Sequence, residues 1–252
     1  MRAVLMAAGK GTRISRYIGE RPKCTLDIGG GPLIRHTVRM LLAHDIDVSV
    51  VVGYHKEAVM DGLTGLPVSY FYNPFFDVTN SIASLWFARS VLGSDDLIVA
   101  NADVYWGEDV LGLLCEDGHD PVMLADSSRG EEGDYLFSFE GDKLLKYGKD
   151  LKGAEVSGEY VGIAKVGTRF QSVLLGRLQD LVDTQQHTLW WEDALYSLIH
   201  DDRTVYVRDV QGHFWAEIDF VEDYERIVAY RRALASRQAS LFDLFGRTSA
   251  LV

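Results

Sequence analysis

Cysteine is nearly absent: Cys24 and Cys115 are the only two in 252 residues, too few for a disulfide framework or a metal knuckle, which points to a reducing compartment. Five prolines and no Ser/Gly/Pro-rich run leave no linker, and no repeat recurs at a solenoid period. The chain therefore reads as one domain. No apolar run reaches the roughly 18 residues a membrane span needs, and the first residues lead straight into a strand, so neither a span nor a secretion leader is expected and the cytoplasm is the expected location. Basic residues are also scarce. With 25 Lys and Arg against 37 Asp and Glu, the net charge is −12, which argues against broad nucleic-acid or anionic-membrane binding because both need a basic field. The seven histidines show no close metal spacing and are read as packed or solvated, with no catalytic role.

Against that acidic background stands Leu5-Met6-Ala7-Ala8-Gly9-Lys10-Gly11-Thr12-Arg13, followed by Arg21-Pro22-Lys23. A short apolar strand runs into a loop of small residues whose backbone N–H groups can approach an anion or a flat base. Lys10, Arg13, Arg21 and Lys23 add enough positive charge to meet a triphosphate. Two commoner loops are excluded. A dinucleotide fingerprint needs glycine where Ile14 stands, and a Walker loop needs Ser or Thr directly after Lys10, where Gly11 stands. An ordinary strand-to-helix turn is the bland reading of Gly9 and Gly11 alone.

The motif Ala7 to Arg13 with Arg21-Pro22-Lys23 resembles the signature of the nucleotidyltransferases that activate sugar phosphates, phosphocholine and phosphonates. The resemblance implies a Rossmann-like α/β fold with a mixed, mainly parallel sheet flanked by helices and a small acceptor-binding subdomain. It implies attack on the α-phosphate of an NTP by a phosphate or phosphonate oxygen, with Mg²⁺ assistance and release of pyrophosphate. Residues 1–236 are expected to form the catalytic domain, with 1–130 as the NTP-binding half and 131–236 as the acceptor half. The tail 237–252, with Leu241, Phe242, Leu244 and Phe245, is apolar enough to dock on its own chain or on a neighbouring subunit of a homodimer.

Hydrophobic spacing predicts strands at 3–6, 48–52, 68–72, 97–100 and 121–126, with helices at 33–44, 56–63 and from Thr79 or Asn80 to about Val91. Gly141-Asp142 signals a hairpin between 135–139 and 143–147. Strands follow at 159–166, 205–209 and 216–219, and helices at 170–181, 191–199 and 221–236. Cys24 is read as a small buried filler beside Lys23.

The expected metal ligands are Asp103, delivered by the strand ending at Ala100, and Asp219, in Trp-Ala-Glu-Ile-Asp; the resemblance places Mg²⁺ there. Helix capping is the alternative for both. Glu217 is read as alternating away from Asp219 along the strand. The nucleotide is assigned to Leu5, Ala7, Ala8, Gly9, Gly11, Thr12 and Ala102, with Arg13 and Lys23 as catalytic cations. Asn73-Pro74-Phe75-Phe76 and the stretch Thr79 to Leu85 are similar to the phosphocholine and aminoethylphosphonate cytidylyltransferase branch, which implies CTP and adds Asn80, Ser81 and Ser84 to the nucleotide site. A polar helix start is the other reading of those three. For the acceptor, a small phosphonate or phosphate, the residues are Tyr135, Glu159, Gly162, Trp190 and Trp191, with Gly162 and Trp191 open to a plain packing role. Lys146, Lys149 and Lys165 are candidates if the acceptor carries a carboxylate. A sugar-1-phosphate nucleotidylyltransferase and a non-catalytic nucleotide-sensing subunit remain the alternatives.

Overall fold

A parallel run of strands organises the first half of the computed structural model, which describes residues 1–11, 14, 19, 21–93, 95–130 and 133–246. β1 (Arg2–Ala7) pairs in parallel with β2 (Asp47–Val52) on one side and with β4 (Leu97–Asn101) on the other, and β3 (Val68–Tyr72) extends the parallel order beyond β2. The connections are helical, α1 (Leu33–Ala43) between β1 and β2 and α2 (Lys56–Gly62) between β2 and β3. After β3 comes α3 (Ser81–Phe87), tightening into a 3₁₀ turn at Arg89–Val91.

The second half adds antiparallel strands to the same sheet. β6 (Val122–Asp126), the hairpin β7 (Leu136–Glu140) and β8 (Lys143–Gly148), β9 (Gly158–Val166) and β10 (Tyr206–Asp209) give the order β3-β2-β1-β4-β9-β6-β10-β8-β7. β9 lies antiparallel to both β4 and β6. The sheet is thus parallel from β3 to β4 and mixed beyond. β5 (Val104–Trp106) and β11 (Trp215–Glu217) form a separate antiparallel ribbon.

Alternation along β1 divides the core in two, because successive side chains leave opposite faces of a strand. Ala3, Leu5 and Ala7 meet Ile34, Val38 and Leu41 of α1 and Val110, Leu111 and Leu114 of α4 (Glu108–Glu116). Val4 and Met6 meet Ile82 and Leu85 of α3 and Leu174 and Leu178 of α5 (Gln171–Asp183). A smaller core under the ribbon joins Tyr105, Ala216 and Ile218 to Ile227 of α7 (Val221–Gly246).

Some boundaries differ from the sequence reading. The helix expected at 191–199 is shorter, with α6 (Asp193–Tyr196) followed by a 3₁₀ turn at Ser197–Asp201. The last helix runs on to Gly246, past the end expected at 236. Strand β5 and helix α4 had no prediction; three residues are too few for alternation to register.

Candidate active site

The carboxyl ends of β1 and β4 lie side by side where the chain order reverses across β1, the position at which open α/β sheets bind ligands. From them emerge Ala8-Gly9-Lys10-Gly11 and Asn101-Ala102-Asp103. At Gly9 a side chain would meet nothing within 4 Å. Gly11 is different. It has φ +60°, and a Cβ there would sit 2.8 Å from Cγ of Lys23, so only glycine lets the loop cross the lysine stem.

Lys23 opens a 3₁₀ turn after Pro22 and is 8% exposed. Its ammonium donates to Asp219 Oδ1 and lies 3.5 Å from Asp103 Oδ2. The ribbon register brings these acids together: Glu217 pairs with Val104, and Ile218 N–H donates to the Asp103 carbonyl at 3.0 Å. Burial works to lower the Lys23 pKa, yet Asp103, Asp219 and Glu217 outweigh it and raise it. Burial first, then the charges of Asp103 and Asp219, push the Glu217 carboxyl well above the ordinary range. Asp223 Oδ2 serves the start of α7, accepting from the N–H of Phe220 at 2.9 Å and of Asp219 at 3.2 Å.

Three carboxyl groups facing one ammonium suit a hard divalent cation. No group of three or more His, Cys, Asp or Glu among the described residues forms a metal cage. Asp103 and Asp219 fit the other mode of Mg²⁺ binding, in which one or two carboxylates share the ion with substrate phosphates and water.

Two further cavities flank this centre. One, of about 290 Å³, is lined by Ala8, Gly9, Asn80, Ser81 and Ser84 among others. Asn80 Oδ1 accepts from Ser81 N–H at 2.8 Å, Ser81 Oγ from Trp191 N–H at 2.8 Å, and Ser84 Oγ from Asn73 Nδ2 at 3.0 Å. Each serine hydroxyl thereby keeps its own O–H to donate. Ala7, Ala102, Gly9 and Gly11 line a smaller cleft against Lys23 and Asp103.

The larger cavity, about 430 Å³, runs from Gly9, Gly11 and Lys23 to Tyr135, Glu159, Gly162 and Trp190. Its far wall is aromatic. Tyr135 meets Trp190 edge-on at 5.7 Å and stacks on Tyr196 at 5.5 Å, while Lys149 lies 5.3 Å over the Trp190 ring. Burial pushes Tyr135 up to about 12. Glu159 accepts from Asp134 N–H at 3.1 Å and pairs with Arg129 at 3.4 Å; burial raises its pKa despite the arginine. Gly162 has φ +85°, and a Cβ would stand 3.1 Å from both Asn101 Nδ2 and Val104 Cγ2. Between the cavities sits Glu192, buried, accepting from Asn101 Nδ2 at 2.9 Å through Oε1, with Oε2 unpartnered. Burial drives its carboxyl up to about 8.

Several expectations need correction. Leu5 is fully buried in the core beneath α1 and lines none of these cavities. Trp191 is likewise buried; its indole N–H donates to Asn101 Oδ1 at 2.8 Å, so it braces the wall from behind rather than touching the cavity. Glu217 does not point away: residues two apart on a strand share a face, and Glu217 lines the same cavity as Asp219. Lys146 pairs with Glu155 at 2.5 Å outside the cavity, and Lys165 is buried, donating to the Asp117 carbonyl. Thr12 and Arg13 lie outside the described residues. Sequence reasoning did not single out Tyr160 and Tyr196, both cavity-lining, whose positions depend on how β9 and α6 pack.

Comparison with known proteins agrees with this architecture. The model of the MobA-like NTP transferase domain matches residues 3–200. The CTP:phosphoglutamine cytidylyltransferase of Campylobacter jejuni is 22% identical over 89% of this chain and 98% of its own length. The 2-aminoethylphosphonate cytidylyltransferase of Lancefieldella rimae is 26% identical over 88% and 89%. The bifunctional protein GlmU of Methanococcus maripaludis is 27% identical over 79% of this chain, which spans 47% of that protein. Among solved structures, the CTP:phosphocholine cytidylyltransferase of Streptococcus pneumoniae superposes with a TM-score of 0.72 at 19% identity, covering 91% of this chain and 98% of that one. A matched span this long, in a fold that gathers the glycine loop, Lys23 and both aspartates around one cavity, makes the chain a member of the family of MobA-like NTP transferase domains.

Proposed function

We propose that this protein is a Mg²⁺-dependent cytidylyltransferase that joins CTP to a small phosphonate, or a phosphocholine-like phosphate, bearing a cationic group. The observation that carries the reading is the single cavity joining Gly9, Gly11 and Lys23 to an aromatic, acidic wall. The loop amides and Lys23 hold the triphosphate, and Asn80, Ser81 and Ser84 offer neutral hydrogen bonds to a pyrimidine. Two relatives named as cytidylyltransferases support CTP. Arg13, beyond the described residues, is assigned to the triphosphate by resemblance.

The acceptor's cationic end lies among Tyr135, Trp190, Glu159 and Glu192, where rings and carboxyl groups favour a cation. Its oxyanion then faces Lys23. An oxygen of the acceptor forms a bond to the α-phosphorus as the bond to the β-phosphate oxygen breaks, and pyrophosphate leaves with that electron pair. No general base is required, since the acceptor is already ionised near neutral pH. Asp103 and Asp219 would hold Mg²⁺, which supplies neutralisation of the charge building on the phosphates.

Pyrophosphate release, with CTP, UTP, GTP, ATP and dTTP crossed against 2-aminoethylphosphonate, phosphocholine and sugar 1-phosphates, tests this. Turnover with CTP and an amine-bearing acceptor supports it. Turnover confined to sugar 1-phosphates overturns the acceptor assignment, in line with GlmU and the yeast mannose-1-phosphate guanyltransferase among the relatives. Silence across the whole panel overturns the enzyme reading in favour of a nucleotide-sensing subunit.

A further inference from the structure

A different part of the chain concentrates positive charge. Before α1 the sequence Gly29-Gly30-Gly31 adopts φ of +90°, +102° and +125°, a path that only glycine follows without strain. Asp27 Oδ1 fastens it, accepting from Gly29 N–H at 2.7 Å and Gly31 N–H at 3.2 Å. Beside this turn lies a cavity of about 260 Å³ lined by Gly30, Arg35, His36, Arg39, Glu108 and Arg231 among others; it shares no residue with the cavities of the active site.

Two of the three arginines are held by neutral partners. Arg35 donates to the carbonyls of Gly62 at 2.9 Å and Thr64 at 3.1 Å. Arg231, reaching in from α7, donates to the Gly29 carbonyl at 2.9 Å and to His36 Nδ1 at 2.9 Å. Tyr105 stacks on the His36 ring at 5.0 Å. Among the described residues, none of the three guanidinium groups forms an ion pair with a carboxylate within 4.0 Å. Glu108 is the one acid on the lining, and Asp27, engaged by the glycine turn, also feels the charge of Arg231.

His36 Nε2 and Arg231 Nε are sealed from solvent, with the Trp106 carbonyl beside His36 and the Tyr105 hydroxyl beside Arg231. Burial first, then Arg231, lower the His36 pKa against the opposing pull of the Trp106 carbonyl and Glu108. With Nδ1 accepting from Arg231, the neutral ring carries its proton on Nε2. In a chain of net charge −12, three guanidiniums without a direct ion pair around one small cavity call for an acceptor-rich anion.

We propose that the cavity between α1 and α7 is a second, non-catalytic oxyanion site that takes inorganic phosphate or a small phosphomonoester. The proposal stands apart from the cytidylyltransferase reading, since no residue or cavity is shared. It is tested on the full chain by titrating inorganic phosphate, and separately glycerol 3-phosphate, at constant ionic strength while following the His36 imidazole ¹⁵N signals, assigned with His36→Gln. Saturable movement of those signals, with the same dissociation constant in Lys23→Met, is the expected result. Arg39→Gln, an exposed position, should weaken binding by about tenfold without changing the melting temperature, as loss of one charge-assisted contact implies. Arg231→Gln should weaken it further. Tighter binding of the ester identifies an organic phosphate as the occupant, and equal binding identifies phosphate itself. Unmoved His36 signals, or a dissociation constant unchanged by Arg39→Gln and Arg231→Gln alike, overturn the proposal.

Discussion

Replacing Lys23 with methionine would keep the buried stem that Gly11 packs against and remove only the ammonium. What remains is Asp219, which loses the hydrogen bond from the lysine, Asp103 at 3.5 Å from the vacated charge, and Glu217 beside them. Stripping one partner from a buried pair costs about 3–5 kcal/mol. Two features favour the low end: Asp103 is about a quarter exposed, and Glu217 already favours its protonated form. A loss of about 3 kcal/mol in a chain of this size lowers the melting temperature by about 6–12 °C. The same vacancy concentrates negative charge, so Mg²⁺ should recover more stability in the variant than in the native protein; an ion at about 100 times its Kd contributes about 2.7 kcal/mol. Thermal melts of both proteins at pH 7.5, with and without millimolar MgCl₂, measure this. If Lys23→Met melts within a degree of the native protein, or if Mg²⁺ raises both equally, the charge balance described for this centre is wrong.

Glu192 makes stability depend on pH. Its carboxyl rises from 4.5 to about 8 on folding, so between those values the folded state binds more protons than the unfolded one and stability falls as pH increases. Glu192→Gln should flatten that slope and be the more stable protein at pH 8, which urea unfolding at pH 5 and pH 8 resolves; parallel profiles would contradict it. Gly162→Ala combines a left-handed backbone with contacts at 3.1 Å, a strain of about 1–2 kcal/mol. Because one of those contacts is Asn101, which holds Glu192, the expected signature is a raised acceptor KM with nucleotide KM unchanged, read from steady-state kinetics.

The nucleotide half was legible because its signals are local. β1 and β4 are largely apolar runs, and Asp103 stands two residues after the end of β4. The acceptor half was legible in part: its hairpin, β9 and four of its five expected wall residues lie where the sequence placed them, and the rest did not follow. Glu217 was assigned the wrong side by a period-two argument that places residues two apart on the same face. Trp191 and Trp190 are neighbours in sequence, yet one is sealed behind the wall and the other forms it, a difference set by how the turn before α6 meets Ser81 and Asn101. Tyr196 enters the cavity from a helix of a single turn, too short to announce a face.

Strand β9 has a consequence for how the chain comes into being. It occupies the slot between β4 and β6, so the edge of β4 stays open until residues about 60 positions later have been made, some 3–12 s at about 5–20 residues per second on a ribosome. An emerging N-terminal half thus carries a flat, apolar, unpaired edge, Leu97 to Ala100, of the kind that templates aggregation. The two halves are consequently bound to one fate: a chain cut between β6 and β7 would leave each piece with half of a central seam, and neither could complete the sheet alone.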